Sequence, residues 1–223
     1  MSVEFRNIQN NPNVGVFVLA TESFALVPSG VPKNFQDSIE TNLKVTVHVI
    51  STFSRVLGVL AAANSHGIVL SSLASKEDAL DLSNVTGLDV ERLDSQFYAL
   101  GNTIAANDFA AVCSPILDEK SIHTIEKVLK VPAHRYRFEF SELIGSLTVS
   151  TNSGCLVSPE ATDSEVDHLK ELLQVPKAKI GTINRGYTFV AAGMIASSHG
   201  CLCGEETTGL EIMRISETLF EST

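Results

Sequence analysis

The chain has 223 residues, of which 44% are apolar and 19% charged, and its net charge is −10. That composition suits one sizeable hydrophobic core and excludes a disordered polymer. No apolar run is long enough to cross a bilayer, residues 1–10 are too polar for a signal peptide, and four cysteines without a paired spacing lead to the expectation of a reducing, cytoplasmic compartment.

In chain order, Val3–Arg6 reads as a short strand ahead of a repeat. Gly15-Val16-Phe17-Val18 opens an apolar strand, Thr21–Ser23 turns it, and Phe24–Val27 brings it back. The same pattern recurs from Gly58 to Val69, from Gly101 to Val112, from Gly145 to Val157 and from Ala191 to Cys203. The first-strand anchors at 15, 58, 101, 145 and 191 are spaced by 43, 43, 44 and 46 residues, and each precedes its turn anchor by nine. Five copies in register define an internal repeat, so one small unit builds the whole architecture.

Between copies the apolar period changes from two to 3.6, which signals a helix. Phe35, Ile39 and Leu43 form one stripe; Ile122, Ile125 and Leu129 form another behind a cap at Asp118. Val166, Leu169 and Leu173 follow a capping box of Thr162 and Glu165, and Thr208 with Glu211 repeats that box before Ile212, Ile215 and Leu219. The second unit offers only a short helix around Lys76–Leu82. An alternating strand follows, clearest in Val45, Val47 and Val49, so each unit reads as strand, turn, strand, helix, strand. The WD-repeat propeller is rejected, because the chain has no tryptophan and has clear helices. The expected layout is a single domain over 1–223, with units at about 9–51, 52–94, 95–138, 139–182 and 183–223. The fifth unit stops at Leu219-Phe220 without its last strand, which residues 1–8 are expected to supply to close the ring.

Charge separates classes of partner. Lys and Arg are absent from Asn7–Pro32, Val56–Ser75, Leu93–Glu119, Phe138–Leu169 and Gly186–Met213, the stretches that hold the repeated strands. A protein held mainly by nucleic-acid phosphates needs a basic patch, so these surfaces suit a basic protein partner better, with little direct contact to an RNA backbone.

Few residues offer chemistry. Cys113 and Cys203 lie three residues after their turn anchors, and Cys155 and Cys201 one residue after theirs, which makes them small core residues of the repeat. No metal site is read, since Cys201-x-Cys203 alone is weak for zinc, and no glycine loop cradles a phosphate. His66 and His199 precede turn glycines and read as exposed. Asn64, Asn107 and Asn152, with Thr21 and Ser197 in related places, read as turn residues that tolerate left-handed backbone. Asn102 departs from the repeat: it follows an anchor glycine, where Val16, Val59 or Met194 stands elsewhere.

The five-unit ring with Ala99-Leu100-Gly101-Asn102, Asn107-Asp108, Ser158-Pro159, Ile183-Asn184-Arg185-Gly186, Ala191-Ala192-Gly193-Met194 and Cys203-Gly204-Glu205-Glu206-Thr207-Thr208 resembles the translation initiation factor 6 family. The resemblance runs from Asn11 to Phe220, and Leu172–Pro176 leans toward the eukaryotic branch. Two departures stand out: the sequence stops at Thr223 without the C-terminal tail of many eukaryotic members, and Ser51–Arg55 replaces a usual Ala-Gly turn. The resemblance implies a pentein fold, a five-fold pseudo-symmetric α/β propeller. It also implies a monomeric, non-catalytic factor without cofactors. Such a factor binds the joining face of the large ribosomal subunit, through a ribosomal protein next to the sarcin–ricin loop, and blocks the small subunit. Eukaryotic members also accompany maturation and nuclear export of that subunit, so they occupy nucleus and nucleolus as well as cytoplasm, and a GTPase with its cofactor protein releases them. Carried over to this sequence, the large-subunit contacts are Gly15, Val56, Val59, Gly101, Asn102 and Phe189. The competing reading is enzymatic: penteins also include guanidine-modifying hydrolases and transferases with a C-terminal nucleophilic Cys, for which Cys201 or Cys203 with His199 is the one available start. A ring scaffold for another partner is the third.

Overall fold

The computed structural model describes residues 2–51 and 54–220, so Thr52 and Phe53 of the departing Ser51–Arg55 segment lie outside the described residues. Strand β1 (Ser2–Phe5) comes first. Unit one contains α1 (Val14–Phe17), β2 (Leu19–Ala20), β3 (Phe24–Pro28), α2 (Lys33–Leu43) and β4 (Thr46–Ile50). Unit two repeats it as α3 (Leu57–Leu60), β5 (Ala61–Asn64), β6 (Gly67–Ser71), α4 (Lys76–Thr86) and β7 (Asp89–Leu93). Unit three is α5 (Leu100–Thr103), β8 (Ile104–Ala106), β9 (Ala111–Cys113), α6 (Glu119–Leu129) and β10 (Ala133–Arg135). Unit four has a turn at 144–147, then β11 (Thr148–Thr151), β12 (Gly154–Val157), α7 (Asp163–Leu172) and β13 (Ala178–Ile180). Unit five is α8 (Val190–Gly193), β14 (Met194–Ser197), β15 (Gly200–Cys203) and α9 (Gly209–Leu219).

The described residues form five three-stranded sheets. In each, the middle strand pairs antiparallel with the inner strand and parallel with the outer one. In unit five the outer place is taken by β1, which runs parallel to β15 with Val3 opposite Cys201 and Phe5 opposite Cys203. The N-terminal strand thus closes the ring. The inner strands β2, β5, β8, β11 and β14 touch one another in a closed circuit around a central cavity of about 120 Å³. The architecture is the α/β pentein propeller.

Middle strands such as Phe24–Pro28 and Gly154–Val157 are buried throughout, which is why they read as continuous apolar runs. Each of the five cores is shared between neighbours. Leu93 and Val69 of unit two pack with Ile125 and Leu129 of unit three; Ile195 and Leu202 of unit five pack with Phe35 and Ile39 of unit one. A unit therefore cannot bury its helix without its neighbour.

Several local expectations change. The anchors at 15, 58, 101 and 191 do not begin strands; they lie in the one-turn helices α1, α3, α5 and α8, and the inner strands start three or four residues later. A short apolar run has no period that separates one helical turn from a strand. The second long helix extends to Thr86, eleven residues in all, with a capping box of Ser75 and Asp78. Its apolar stripe is thin because Leu80 and Val85 face solvent, which hid its length. Val49 is also exposed, so the expected alternation is only partly kept: Val45 just before β4 is buried and Val47 is half-buried, while Ile50 at the end of the strand is buried in Val49's stead. His66 is half-buried, while His199 is exposed.

Candidate functional site

The one-turn elements surround one end of the central cavity, and each stacks on the preceding one. Gly58 lies against the carbonyls of Gly15 and Val18, Gly101 against those of Gly58 and Ala61, Gly145 against those of Gly101 and Ile104, and Gly15 against those of Ala191 and Met194. A Cβ at Gly58 or Gly101 would overlap a carbonyl oxygen. Gly15 and Gly101 therefore set the width of the mouth through close backbone approach.

The residue after each anchor lines that mouth: Val16, Val59, Asn102, Ser146 and Ala192. This corrects the register read from the sequence, because the counterpart of Asn102 in unit five is Ala192; Met194 starts β14 and is buried. Leu143, Tyr187 and Phe189 extend the wall around about 230 Å³, and no residue lining it is charged. Leu143 and Tyr187 are exposed, and the Tyr187 ring rests against Phe189 with centroids 5.6 Å apart. Of the six residues singled out from the sequence, Gly15, Val59, Gly101, Asn102 and Phe189 come together here. Val56 heads α3 and is not part of the lining. Val16, Leu143, Ser146, Tyr187 and Ala192 escaped the sequence reading, although position i+1 after each anchor would have found three of them.

Asn102 is held by its backbone: its N–H donates to the Ala99 carbonyl, and its own carbonyl accepts from Gly145 and Ser146 at 2.9 and 3.3 Å. Its side-chain amide has no hydrogen-bond partner among the described residues. A donor and an acceptor are thus presented to whatever covers the mouth.

The flanking loops are fixed by carboxylates at the starts of the long helices. Glu211 accepts from the Thr208 N–H at 2.7 Å, the Thr182 hydroxyl at 2.8 Å and the Gly186 N–H at 2.9 Å. These bonds hold Asn184, Arg185 and Gly186 in consecutive left-handed conformations, φ 48°, 63° and 95°. Burial alone would raise the Glu211 carboxyl, but the backbone bonds from Thr208 and Gly186 and the threonine hydroxyls outweigh it, and the group sits below its ordinary value. Glu165 does the same for the loop into unit four through the Glu139 N–H, 3.0 Å.

The opposite end is closed by polar turns. Asp108 accepts from Ser65 N–H and hydroxyl, and Glu22 accepts from Ser198 and, across the ring, from the Asn152 N–H at 2.7 Å. Asn152 accordingly belongs with Glu22, Ser65, Asp108 and Ser198. The true series of Asn64 and Asn107 continues in Thr151 and Ser197. Asn64 donates to the Leu129 carbonyl, Asn107 to Leu173, Thr151 to Leu219 and Ser197 to Leu43. These are unit-to-unit ties as well as turn formers.

The cysteines are fully buried. Burial pushes the Cys113 thiol up to about 12, and the hydrogen bond with Cys203 together with burial raises Cys201 well above its usual value. Cys201 and Cys203 face each other at 3.5 Å inside the core, whereas His199 is exposed at a turn.

The sequence matches the family model described as the eIF-6 family over residues 3–218. Translation initiation factor 6 of Pyrococcus horikoshii is 36% identical, over 98% of this chain and 99% of that protein. The factor of Pyrobaculum arsenaticum is 33% identical over 93% and 94%. Eukaryotic translation initiation factor 6 of Ostreococcus lucimarinus is also 33% identical, over 96% and 88%, so the two branches stand level and the leaning toward the eukaryotic one is not distinguished. Among solved structures, the N-terminal domain of ArgZ, an arginine dihydrolase from cyanobacteria, superposes with a TM-score of 0.50 at 12% identity, over 85% of this chain and 72% of that one, a likeness of fold alone. The ring of five units, matched over nearly its whole length by the family model and by relatives that it covers almost end to end, makes this chain a member of the eIF-6 family.

Proposed function

We propose that the chain binds the joining face of the large ribosomal subunit through the mouth of its ring and keeps the small subunit from joining prematurely. The relatives named translation initiation factor 6 support a function in translation initiation. The observation that carries the finer reading is the mouth itself: open, largely apolar, without a charged lining residue, and offering one unpartnered amide at Asn102. A surface of that kind accepts a protein side chain better than a phosphate backbone. In this reading the contact is a ribosomal protein next to the sarcin–ricin loop, the factor acts as a monomer, and a GTPase with its cofactor protein later releases it. Attendance on large-subunit maturation and export, in nucleolus, nucleus and cytoplasm, belongs to the same proposal. Catalysis does not, because Cys201 and Cys203 are sealed in the core away from His199 and none of the three lines the mouth.

Sedimentation through sucrose with purified subunits tests the reading. The protein is expected in the large-subunit fraction and absent from the small-subunit fraction; equal recovery in both, or in neither, overturns it.

A further inference from the structure

The junctions between units are fastened by one repeated device, and the junction between units one and two lacks it. Elsewhere a turn side chain donates to the end of the next long helix: Asn64 to Leu129, Asn107 to Leu173, Thr151 to Leu219 and Ser197 to Leu43. Their counterpart in unit one is Thr21, whose hydroxyl donates instead to the Phe24 carbonyl of its own turn at 3.1 Å. The helix it would reach is α4. At the distance from the N-cap where the other long helices carry Leu43, Leu129, Leu173 and Leu219, α4 carries Thr86. Those leucines are fully buried, whereas Thr86 is half-buried and turns its hydroxyl back to the Leu82 carbonyl at 2.7 Å.

The outer strands repeat the contrast. Glu4, His48, Glu91, His134 and Lys179 hold equivalent places, opposite Leu202, Leu26, Val69, Val112 and Leu156 of the middle strands. Glu4 accepts from Ser38 and Asn42 of α2, Glu91 pairs with Lys127 of α6, and Lys179 pairs with Glu217 of α9 at 3.0 Å. Just past β10, Tyr136 rests on His168 of α7 with ring centroids 5.1 Å apart. On α4, Asn84 stands where Lys127 and Glu217 stand on their helices. Among the described residues, neither the His48 nor the Asn84 side chain has a hydrogen-bond or ion-pair partner; the His48 ring meets only the edge of Phe24.

Phe24 accounts for the difference. At its place in the repeat the other units have Gly67, Ala110, Gly154 and Gly200. A Cβ at Gly67 would overlap the Val128 carbonyl oxygen and one at Gly154 that of Thr218, so the next helix ends directly against these small residues. A phenylalanine there holds the end of α4 away. The space left between β4 and α4 is a cleft of about 300 Å³ lined by Val49, Ile50, Asp81, Leu82, Asn84 and Val85, with Val49 and Val85 exposed. The last turn of α4, Ser83-Asn84-Val85-Thr86, is also made of weak helix formers.

We infer that this junction is the opening seam of the ring: α4 releases from β3 and β4 in a local unfolding step while the other four long helices stay docked. The release bares Phe24 and Ile50 and leaves the inner-strand circuit intact. Each missing tie lowers the cost of this step alone, because a repeat array is stabilised junction by junction and its parts open separately.

Native-state hydrogen exchange tests the inference. Leu82, Ile39, Ile125, Leu169 and Ile215 hold the same place in their helices and are all buried, so their amides compare directly once corrected for intrinsic rates. The Leu82 amide is expected to exchange about ten times faster, or more, than any of the other four. Two variants of matched shape then test the cause. Thr151→Val deletes the donor to Leu219 and is expected to quicken exchange at Ile215 about five-fold or more. Thr21→Val removes bonds within its own turn only and is expected to leave Leu82 within about two-fold. The inference is overturned if Leu82 exchanges no faster than the other four, if another long helix opens first, or if Thr21→Val quickens α4 as much as Thr151→Val quickens α9.

Discussion

The side-chain amide of Asn107 donates to the Leu173 carbonyl at 2.9 Å, joining the turn of unit three to the end of the helix of unit four. The same amide donates to the Ser150 hydroxyl, and its oxygen accepts the N–H groups of Phe109 and Ala110. Asn107 is buried, so Asn107→Ala strands several polar groups at once. Its expected cost is about 2–4 kcal/mol in urea unfolding. Asn152→Ala, on the half-buried rim ring, is expected to cost less than half as much. Equal costs would contradict the distinction between the two series.

Gly58→Ala tests the stacking of the one-turn helices. The new methyl would overlap the Gly15 carbonyl oxygen, and backbone has little room to yield in a closed ring. The expected loss is about 3 kcal/mol or more, with large-subunit binding reduced in step. Gly209→Ala, where a Cβ meets nothing within 4 Å, is the matched control and is expected to melt as wild type does.

Deleting residues 1–6 removes the outer strand of the unit-five sheet and bares the β15 edge over Cys201–Cys203. Its expected effect is a drop in melting temperature of about 5–10 °C. An unchanged melt would show that the ring does not need this closure.

Acid should loosen the loop into unit five first. The Glu211 carboxyl is held below its ordinary value in the folded chain, so its stabilisation is complete above the unfolded value of about 4.3 and is lost as pH falls through the lower folded value. Hydrogen exchange at Arg185 and Gly186 is expected to quicken relative to the sheet below about pH 4. In Glu211→Gln, fast exchange is expected already at pH 7.

The cysteines offer a direct check on the enzymatic alternative. With all four side chains buried and the Cys113 thiol near 12, none should react with a thiol reagent at pH 8 until the chain unfolds. Rapid labelling of Cys203 in the native protein would reopen that alternative.

The ring was legible because a fixed period forces each unit to present the same faces to its neighbours. The capping boxes at Thr162 and Thr208 were legible because their chemistry is local. The one-turn helices were not, since Leu57–Leu60 and Leu100–Thr103 are too short for a helical period and their form depends on glycine-to-carbonyl contacts with the preceding unit. The same non-local cause explains why Asn107 read as turn chemistry: Leu173 lies 66 residues away in sequence. At the mouth, Asn102 stood out as a break in the repeat, whereas Tyr187 and Leu143 belong to loops outside the repeated pattern, where the sequence carries no register.

Subunit joining in the presence of this protein tests the central claim most directly. Mixed large and small subunits are separated on a sucrose gradient with increasing amounts of wild type or of Val59→Asp, a substitution that places a charge in the uncharged mouth without entering the core. Wild type is expected to reduce the joined-ribosome peak as its concentration approaches that of the large subunit, and Val59→Asp to need at least ten times more. Unimpaired joining with wild type, or equal potency of Val59→Asp, would contradict the account.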